Sequence, residues 1–295
     1  MIAGIDLGGT LVRVAFADET GRVRSRAQTR TATLGGPRRV VAWVVEQVRH
    51  HARGGPLAGA AIGAPGPVDP EHGLLINPPN LGDPRAWHNL PLADMLRDAL
   101  GCDVHLENDA NLAALGEFRQ GAGRDVRHMV YLTWSTGVGG GLIIDGKLHS
   151  GAHGSAGEVG HMVLDPHGPV CGCGQRGCVE ALCSGANVAR QYGESAAELL
   201  RAAADGDPQA EAVVRQLATW MGLALINLAN LFDPELFVIG GGYTRAWSQL
   251  RPQLEQVLQA SPFVRPRRRP KLRRAQLGDR VGEIGAVEWA RAWLR

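Results

Sequence analysis

Three cysteines crowd into eight positions within "CGCGQRGCVE", residues 171–180, in a chain that carries only five cysteines altogether. Thiols at that density hold a metal, form a disulfide or attack a substrate. Cys171, Cys173 and Cys178 have the spacing C-x-C-x4-C, and His161 precedes them by ten residues in a glycine-rich stretch. Together they could make a tetrahedral Cys3His zinc site, and four protein ligands would close it, which is the mark of a structural rather than a catalytic zinc. Gly172, Gly174 and Gly177 let the backbone wrap tightly around an ion, which favours zinc over a set of free surface thiols. Cys102 and Cys183 have no partner at ligand spacing and read as small buried hydrophobes.

A second cluster lies in "HLENDANLAALGEF", residues 105–118. Asn108 and Asp109 follow a short apolar stretch, Val104 and Leu106, and precede an apolar-periodic run, so a strand end passes there into a helix start. Asp109 in that place could simply cap the helix. Yet Glu107, Asn108, Asp109 and Asn111 offer more hydrogen-bonding groups than one cap requires, and such a set suits a polyhydroxylated ligand. "GEVGH" at 157–161 adds Glu158, three residues before the candidate zinc ligand His161. With one ring nitrogen anchored on a metal, the other can donate to a substrate hydroxyl. Glu180, two residues after Cys178, would be placed by the same metal. Singly these glutamates read as solvated charges, and it is their attachment to one rigid loop that points to function.

The elements that must position these groups are legible in outline. "MIAGIDLGGTLVRVAFADETGRV" predicts a strand, a glycine turn, an alternating strand (Leu11, Val12, Val14, Phe16), a turn at Asp18–Gly21 and a third strand. No helix follows the glycines, which excludes a P-loop or dinucleotide fingerprint. Residues 128–148 repeat the plan, with Asp145-Gly146 as a hairpin signal. Two copies of one unit predict two similar lobes, with a small-molecule cleft between them. Helices are expected from Pro37, over about 90–101 with Gly101 as its stop, and from Pro208 with Asp207 as N-cap up to Asp233-Pro234. "ELFVIGGG" reads as a buried strand delivering three glycines into a loop, and "GEIGAVEWARAWLR" as a terminal amphipathic helix.

Composition bounds the rest. At 295 residues, 44% hydrophobic and 20% charged, the chain suits two ordinary domains or one large one and not extended disorder. A formal charge of +2 implies no polyanionic partner, so no nucleic acid is expected. The basic run "RPRRRPKLRR", 265–274, is broken by prolines and lacks interleaved aromatics, and reads as a solvated surface segment. With no secretory signal after Met1 and no apolar run of membrane-spanning length, the protein is expected to be cytoplasmic and without a membrane partner.

Seven ordered motifs then carry a resemblance: "GIDLGGT" (4–10), "GAPGPVD" (63–69), "ENDAN" (107–111), "STGVGGG" (135–141), "GEVGH" (157–161), "CGCGQRGCVE" (171–180) and "VIGGG" (238–242). In this order they resemble the ROK family of sugar kinases and repressors, within the actin, Hsp70 and hexokinase-like superfamily. The resemblance implies an α/β fold of two ribonuclease H-like (actin-like ATPase) lobes, mixed sheets flanked by helices, with an interlobe cleft. Residues 1–112 would form the N-terminal lobe, with the C-terminal helix 283–295 packed back on it, and 113–282 the C-terminal lobe with the zinc loop. It also implies a homodimer or homotetramer.

Carried over by position, the resemblance makes Asp109 the catalytic base that takes the proton from the attacking sugar hydroxyl. It makes Asn108, Glu158, His161 and Glu180 sugar ligands, with Gly66 beneath the sugar and Asn80 in the same pocket. Gly8, Gly9, Thr10, Thr136 and Gly137 would cradle ATP phosphates, Asp6 would lie near Mg2+, and Gly240 and Gly241 against the adenosine. His161, Cys171, Cys173 and Cys178 would hold the structural Zn2+. Many relatives have Gly-Thr-Gly where this chain has Ser135-Thr136-Gly137, and Trp134 sets unusual bulk next to that loop. The implied activity is an ATP-dependent hexose kinase, first of all a glucokinase forming a 6-phosphate; kinases of N-acetylmannosamine, N-acetylglucosamine, mannose and fructose share the motifs. A sugar-responsive transcriptional regulator lacking its DNA-binding domain is the reading from another class. With the first hairpin starting at residue 2, no helix-turn-helix is expected ahead of it. A zinc hydrolase would need an open metal position, which the four-ligand count disfavours.

Overall fold

The computed structural model describes residues 1–52, 55–264 and 269–294. The stretch 265–268 of the basic run and residue 295 of the expected terminal helix lie outside the described residues. The chain divides into two compact units: Met1–Gln120 with Ser150–Ala156 and Asp279–Arg295, and Gly121–His149 with Gly157–Gly278.

In the first unit the alternating apolar residues of the opening segment form an antiparallel meander of β1 (Ile2–Leu7), β2 (Leu11–Ala17) and β3 (Val23–Arg30). After α1 (Thr31–Leu34) and α2 (Pro37–His51), the all-buried β4 (Gly59–Ala64) adds parallel to β1. A small ladder of β5 (Val68–Asp69) and β6 (Leu74–Leu75) and helix α3 (Leu92–Leu100) lead to β7 (Val104–Asn108), parallel to β4. The order is β3-β2-β1-β4-β7. Helix α4 (Asp109–Gln120) follows directly. One sheet face buries Ile5, Leu7, Val14, Phe16 and Ile62 with α2 and α3 residues such as Val44 and Leu96. On the other face Ile2 and Ala61 meet Leu112 of α4 and Ala286 and Ala290 of the C-terminal helix Val281–Trp293. Two faces, each covered by helices, are what a strand as apolar as β4 requires.

The second unit repeats this order. β8 (Met129–Trp134), β9 (Val138–Ile144) and β10 (Lys147–Leu148) form the meander, turning at Asp145 and Gly146, whose φ values are +52° and +76°. Helices α5 (Val179–Cys183), α6 (Gly185–Tyr192), α7 (Ala196–Ala204) and α8 (Pro208–Phe232) precede β11 (Leu236–Gly240), which pairs parallel to β8. Helix α9 (Trp247–Ala260) connects to β12 (Lys271–Arg274), parallel to β11. The order β10-β9-β8-β11-β12 reproduces that of the first unit, so the duplication legible in the two hairpins extends to both sheets. The protein is an α/β protein of mixed sheets flanked by helices.

Two elements of the fold depart from the sequence reading. Part of the basic run is an edge strand, β12, with Leu272 buried, because free backbone groups on β11 recruit it regardless of its charged side chains. Helix α8 is long and apolar enough to cross a membrane by length and composition, although no such run was expected; half of the qualifying window is buried inside the protein. Its N-terminus is as read: Asp207 accepts from the backbone N–H of Gln209 (2.8 Å) and Ala210 (3.0 Å).

Candidate functional site

The cysteine loop folds into a knot of short backbone bonds: Cys171 N–H to Gln175 O (2.7 Å), Gly174 N–H to Cys171 O (3.0 Å) and Gly177 N–H to Pro169 O (2.9 Å). This brings one donor atom each from His161, Cys171, Cys173 and Cys178 within 4.8 Å of one another. Cys173 Sγ stands 3.8 Å from Cys178 Sγ, and Cys171 Sγ 3.7 Å from His161 Nδ1. Ligand bonds of about 2.3 Å to sulfur give tetrahedral edges of about 3.8 Å, so the donor spacing fits a zinc-sized ion. All five cysteines are free thiols, and burial, followed by the neighbouring thiols, pushes Cys178 up to about 12. Binding of a metal cation would be coupled to loss of the Cys178 proton.

Glu180 sits in the first turn of α5, two residues past Cys178. Its Oε2 accepts from the Val138 backbone N–H at 2.9 Å, and a Cβ at Gly137 would stand 2.5 Å from that same oxygen. The Ser135-Thr136-Gly137 turn is therefore laid against Glu180, and a side chain at 137 would displace that carboxylate. From the other side the Ser135 and Thr136 carbonyls accept from the N–H groups of Gly185 (2.8 Å) and Ala186 (2.9 Å). Trp134 does not crowd this turn, contrary to the bulk expected from the sequence. It is fully buried, donates from Nε1 to Cys183 O at 2.7 Å and stacks on Tyr243 with centroids 4.3 Å apart. Glu158 immediately precedes the turn Val159–His161, and its carbonyl accepts from His161 N–H at 3.0 Å.

Beside the turn opens a cavity of about 680 Å3, lined among others by Thr136, Ala186, Leu200, Arg201, Gly242 and Arg245. Gly240 ends β11 and Gly241 leads into the Gly242 wall. The motifs mark Thr136 and the glycines, but the contributions of α6 and α7 carry no motif. Small residues on those helices, Ala186, Ala189, Ala196 and Ala197, are the only sequence signal of that wall.

In the first unit, Gly8–Thr10 forms the β1–β2 turn, closed by Gly8 N–H to Leu11 O (2.9 Å) and by Thr31 Oγ1 donating to Gly8 O (2.7 Å). A Cβ on Gly9 would meet the Asn80 carbonyl oxygen at 2.6 Å, so the glycine turn and the Asn80 loop are brought together. Gly66 lies between β4 and β5. The Asp6 carboxylate, at the end of β1, accepts from Arg13 at 3.1 Å; burial raises its pKa and Arg13 opposes that rise.

At the β7–α4 junction the cap belongs to Asn108, not to Asp109: its Oδ1 accepts from the N–H of Ala110 (2.9 Å) and Asn111 (3.2 Å). Asp109 is the first residue of α4. Helix capping, the plain explanation of an aspartate here, is thus supplied by its neighbour. Glu107 and Asn111 are both 1% exposed and bonded to each other at 3.0 Å, so they are turned into the fold and are not ligand groups as the sequence suggested.

The ROK family model matches residues 2–292. The chain belongs to the ROK family. This ROK protein is 33% identical to the glucokinase of Halalkalibacterium halodurans, over 96% of its own chain and 92% of the relative. It is 37% identical to the N-acetylmannosamine kinase of Vibrio cholerae, over 88% and 90% of the two chains. Among solved structures it matches a ROK family glucokinase from Streptomyces griseus in complex with glucose and AMPPNP, with a TM-score of 0.80, 33% identity and 99% of both chains covered.

Proposed function

We propose that this ROK protein is an ATP-dependent hexose kinase that transfers the γ-phosphate to the 6-hydroxyl of glucose. The observation that carries the reading is the end-to-end likeness to a glucokinase crystallised with glucose and a nucleotide. Asp109, at the first position of α4, takes the proton from the attacking hydroxyl. Asn108 keeps its amide nitrogen for the sugar while its oxygen caps the helix. Glu158, His161, Glu180, Asn80 and Gly66 complete the sugar ligands. The turns Gly8–Thr10 and Thr136–Gly137 offer backbone N–H groups to the phosphates, and Gly240 and Gly241 lead into Gly242 on the wall of the cavity that takes the adenosine.

His161, Cys171, Cys173 and Cys178 would hold Zn2+, which supplies no chemistry beyond fixing the loop. Mg2+, when bound with ATP, neutralises phosphate charge, and Asp6 is the carboxylate assigned to its neighbourhood. ATP as donor and reduced thiols suit the cytoplasm, and an assembly of two or four copies follows family habit.

The likeness to an N-acetylmannosamine kinase at 37% identity favours a second reading, in which the acceptor is an N-acetylated sugar. A coupled phosphorylation assay with ATP and Mg2+ across glucose, mannose, fructose, N-acetylglucosamine and N-acetylmannosamine separates the two. The glucose reading expects glucose to give the highest kcat/KM; a higher value for N-acetylmannosamine replaces it with the second, and no turnover of any sugar sinks both.

A further inference from the structure

Glu107 uses its whole carboxylate inside the first unit. Oε1 accepts from the Asn108 backbone N–H (2.8 Å) and from Asn111 Nδ2 (3.0 Å), and Oε2 accepts from Ser150 Oγ (3.0 Å). Burial raises its pKa, and these three bonds oppose the rise. A buried carboxylate is retained only where its bonds compensate the lost hydration, so the arrangement that supplies them is itself specified.

Those bonds join three pieces of chain: the end of β7, the first turn of α4 and the segment Ser150–Ala156. Asp109 lies between two of the anchor points, Asn108 and Asn111. The segment Ser150–Ala156 belongs to the first unit although the residues on either side belong to the second. Ala156 N–H closes it on Ser150 O at 3.0 Å, and the next residues are Gly157 to His161.

We propose that Glu107 is a positioning residue with two arms: through Asn108 and Asn111 it orients Asp109, and through Ser150 it sets the chain that enters Gly157–His161. For its activity readouts this rests on the kinase reading above. Displacing a reacting group by an ångström costs on the order of 10^2-fold in rate. The first arm therefore acts on turnover, whereas the second acts on residues assigned to sugar binding. Replacing Glu107 by glutamine keeps the geometry: the amide oxygen accepts the same two N–H groups, and the amide nitrogen donates to Ser150 Oγ, which can accept.

The test compares Glu107→Ala, Glu107→Gln and Ser150→Ala for kcat and hexose KM, together with amide hydrogen exchange at Ala110 and Asn111 without substrate. Glu107→Ala should lower kcat by about 10- to 100-fold and speed exchange at both amides. Glu107→Gln should restore kcat to within about threefold, and Ser150→Ala should raise hexose KM about 3- to 10-fold with kcat nearly unchanged. Glutamine as impaired as alanine, or Ser150→Ala with wild-type KM, overturns the proposal. If Glu107→Ala fails to fold, the glutamine and Ser150 variants decide. If the wild type phosphorylates no sugar, the kinase reading has failed, and unchanged exchange at Ala110 and Asn111 in Glu107→Ala would separately sink the positioning role.

Discussion

Gly285 of the C-terminal helix lies against Leu112 of α4 so closely that a Cβ at 285 would stand 1.8 Å from the Leu112 carbonyl oxygen. One turn along α4, a Cβ at Gly116 would meet Val281 O at 3.0 Å. The two helices are in backbone contact. Alanine in place of glycine gains up to about 1 kcal/mol of helix propensity, but here it must force the helices apart. Gly285→Ala should lose about 2 kcal/mol or more net, and Gly116→Ala less, as read from denaturant midpoints. A Gly285→Ala protein as stable as wild type would mean that the helices do not meet this way.

The base role of Asp109 predicts that Asp109→Asn lowers kcat about 10^2- to 10^4-fold while hexose KM stays within a few-fold. The replacement is isosteric and leaves the Asn108 cap in place, so thermal unfolding should shift far less than turnover. Near-normal turnover in the variant removes Asp109 from the mechanism.

The four-donor cluster predicts one zinc per chain by elemental analysis. Cys178→Ser should lose the metal, and both this change and prolonged chelation should lower Tm by about 4 °C or more, because metal binding is linked to folding of the loop. Zinc-free wild-type protein with full stability would refute the site.

Edge strand β12 is pinned by Arg273, which donates to both Asp125 carboxylate oxygens (2.5 and 2.9 Å) and to Ala122 O (2.7 Å). The hydrogen bonds from Arg273 hold the Asp125 carboxyl at about 2, below its ordinary 3.8. With the folded value below the unfolded one, the stabilisation is complete above about pH 4 and fades as pH falls toward 2. In Arg273→Gln, proton NMR titration should return Asp125 toward its ordinary value, and acid unfolding should lose part of its pH dependence in that window.

Trp134→Phe removes a buried hydrogen bond to Cys183 O and leaves that carbonyl unpaired, at a cost of about 1–3 kcal/mol in unfolding free energy. Since the indole points into the core, KM for ATP should stay within about twofold of wild type. A large rise in KM would put Trp134 back beside the nucleotide.

Much of this is written locally in the sequence. The period-2 strands, the turn at Asp145-Gly146, the Asp207-Pro208 helix start and the C-x-C-x4-C spacing are each set by a few neighbouring residues, because backbone preference, capping and ligand reach act within one or two turns of chain. The ordered motifs likewise sufficed for the family.

Other roles depended on partners far away in the chain. Whether Glu107 faces a ligand or Ser150 could not be read from "ENDAN", since its hydrogen bonds reach a group as distant as residue 150. The inward turn of Trp134 depends on Cys183 and Tyr243, and the pairing of β12 on the open edge of β11. Tertiary structure decided these because a buried polar group takes whichever partner the packed fold brings within about 3 Å, and sequence distance does not enter that choice.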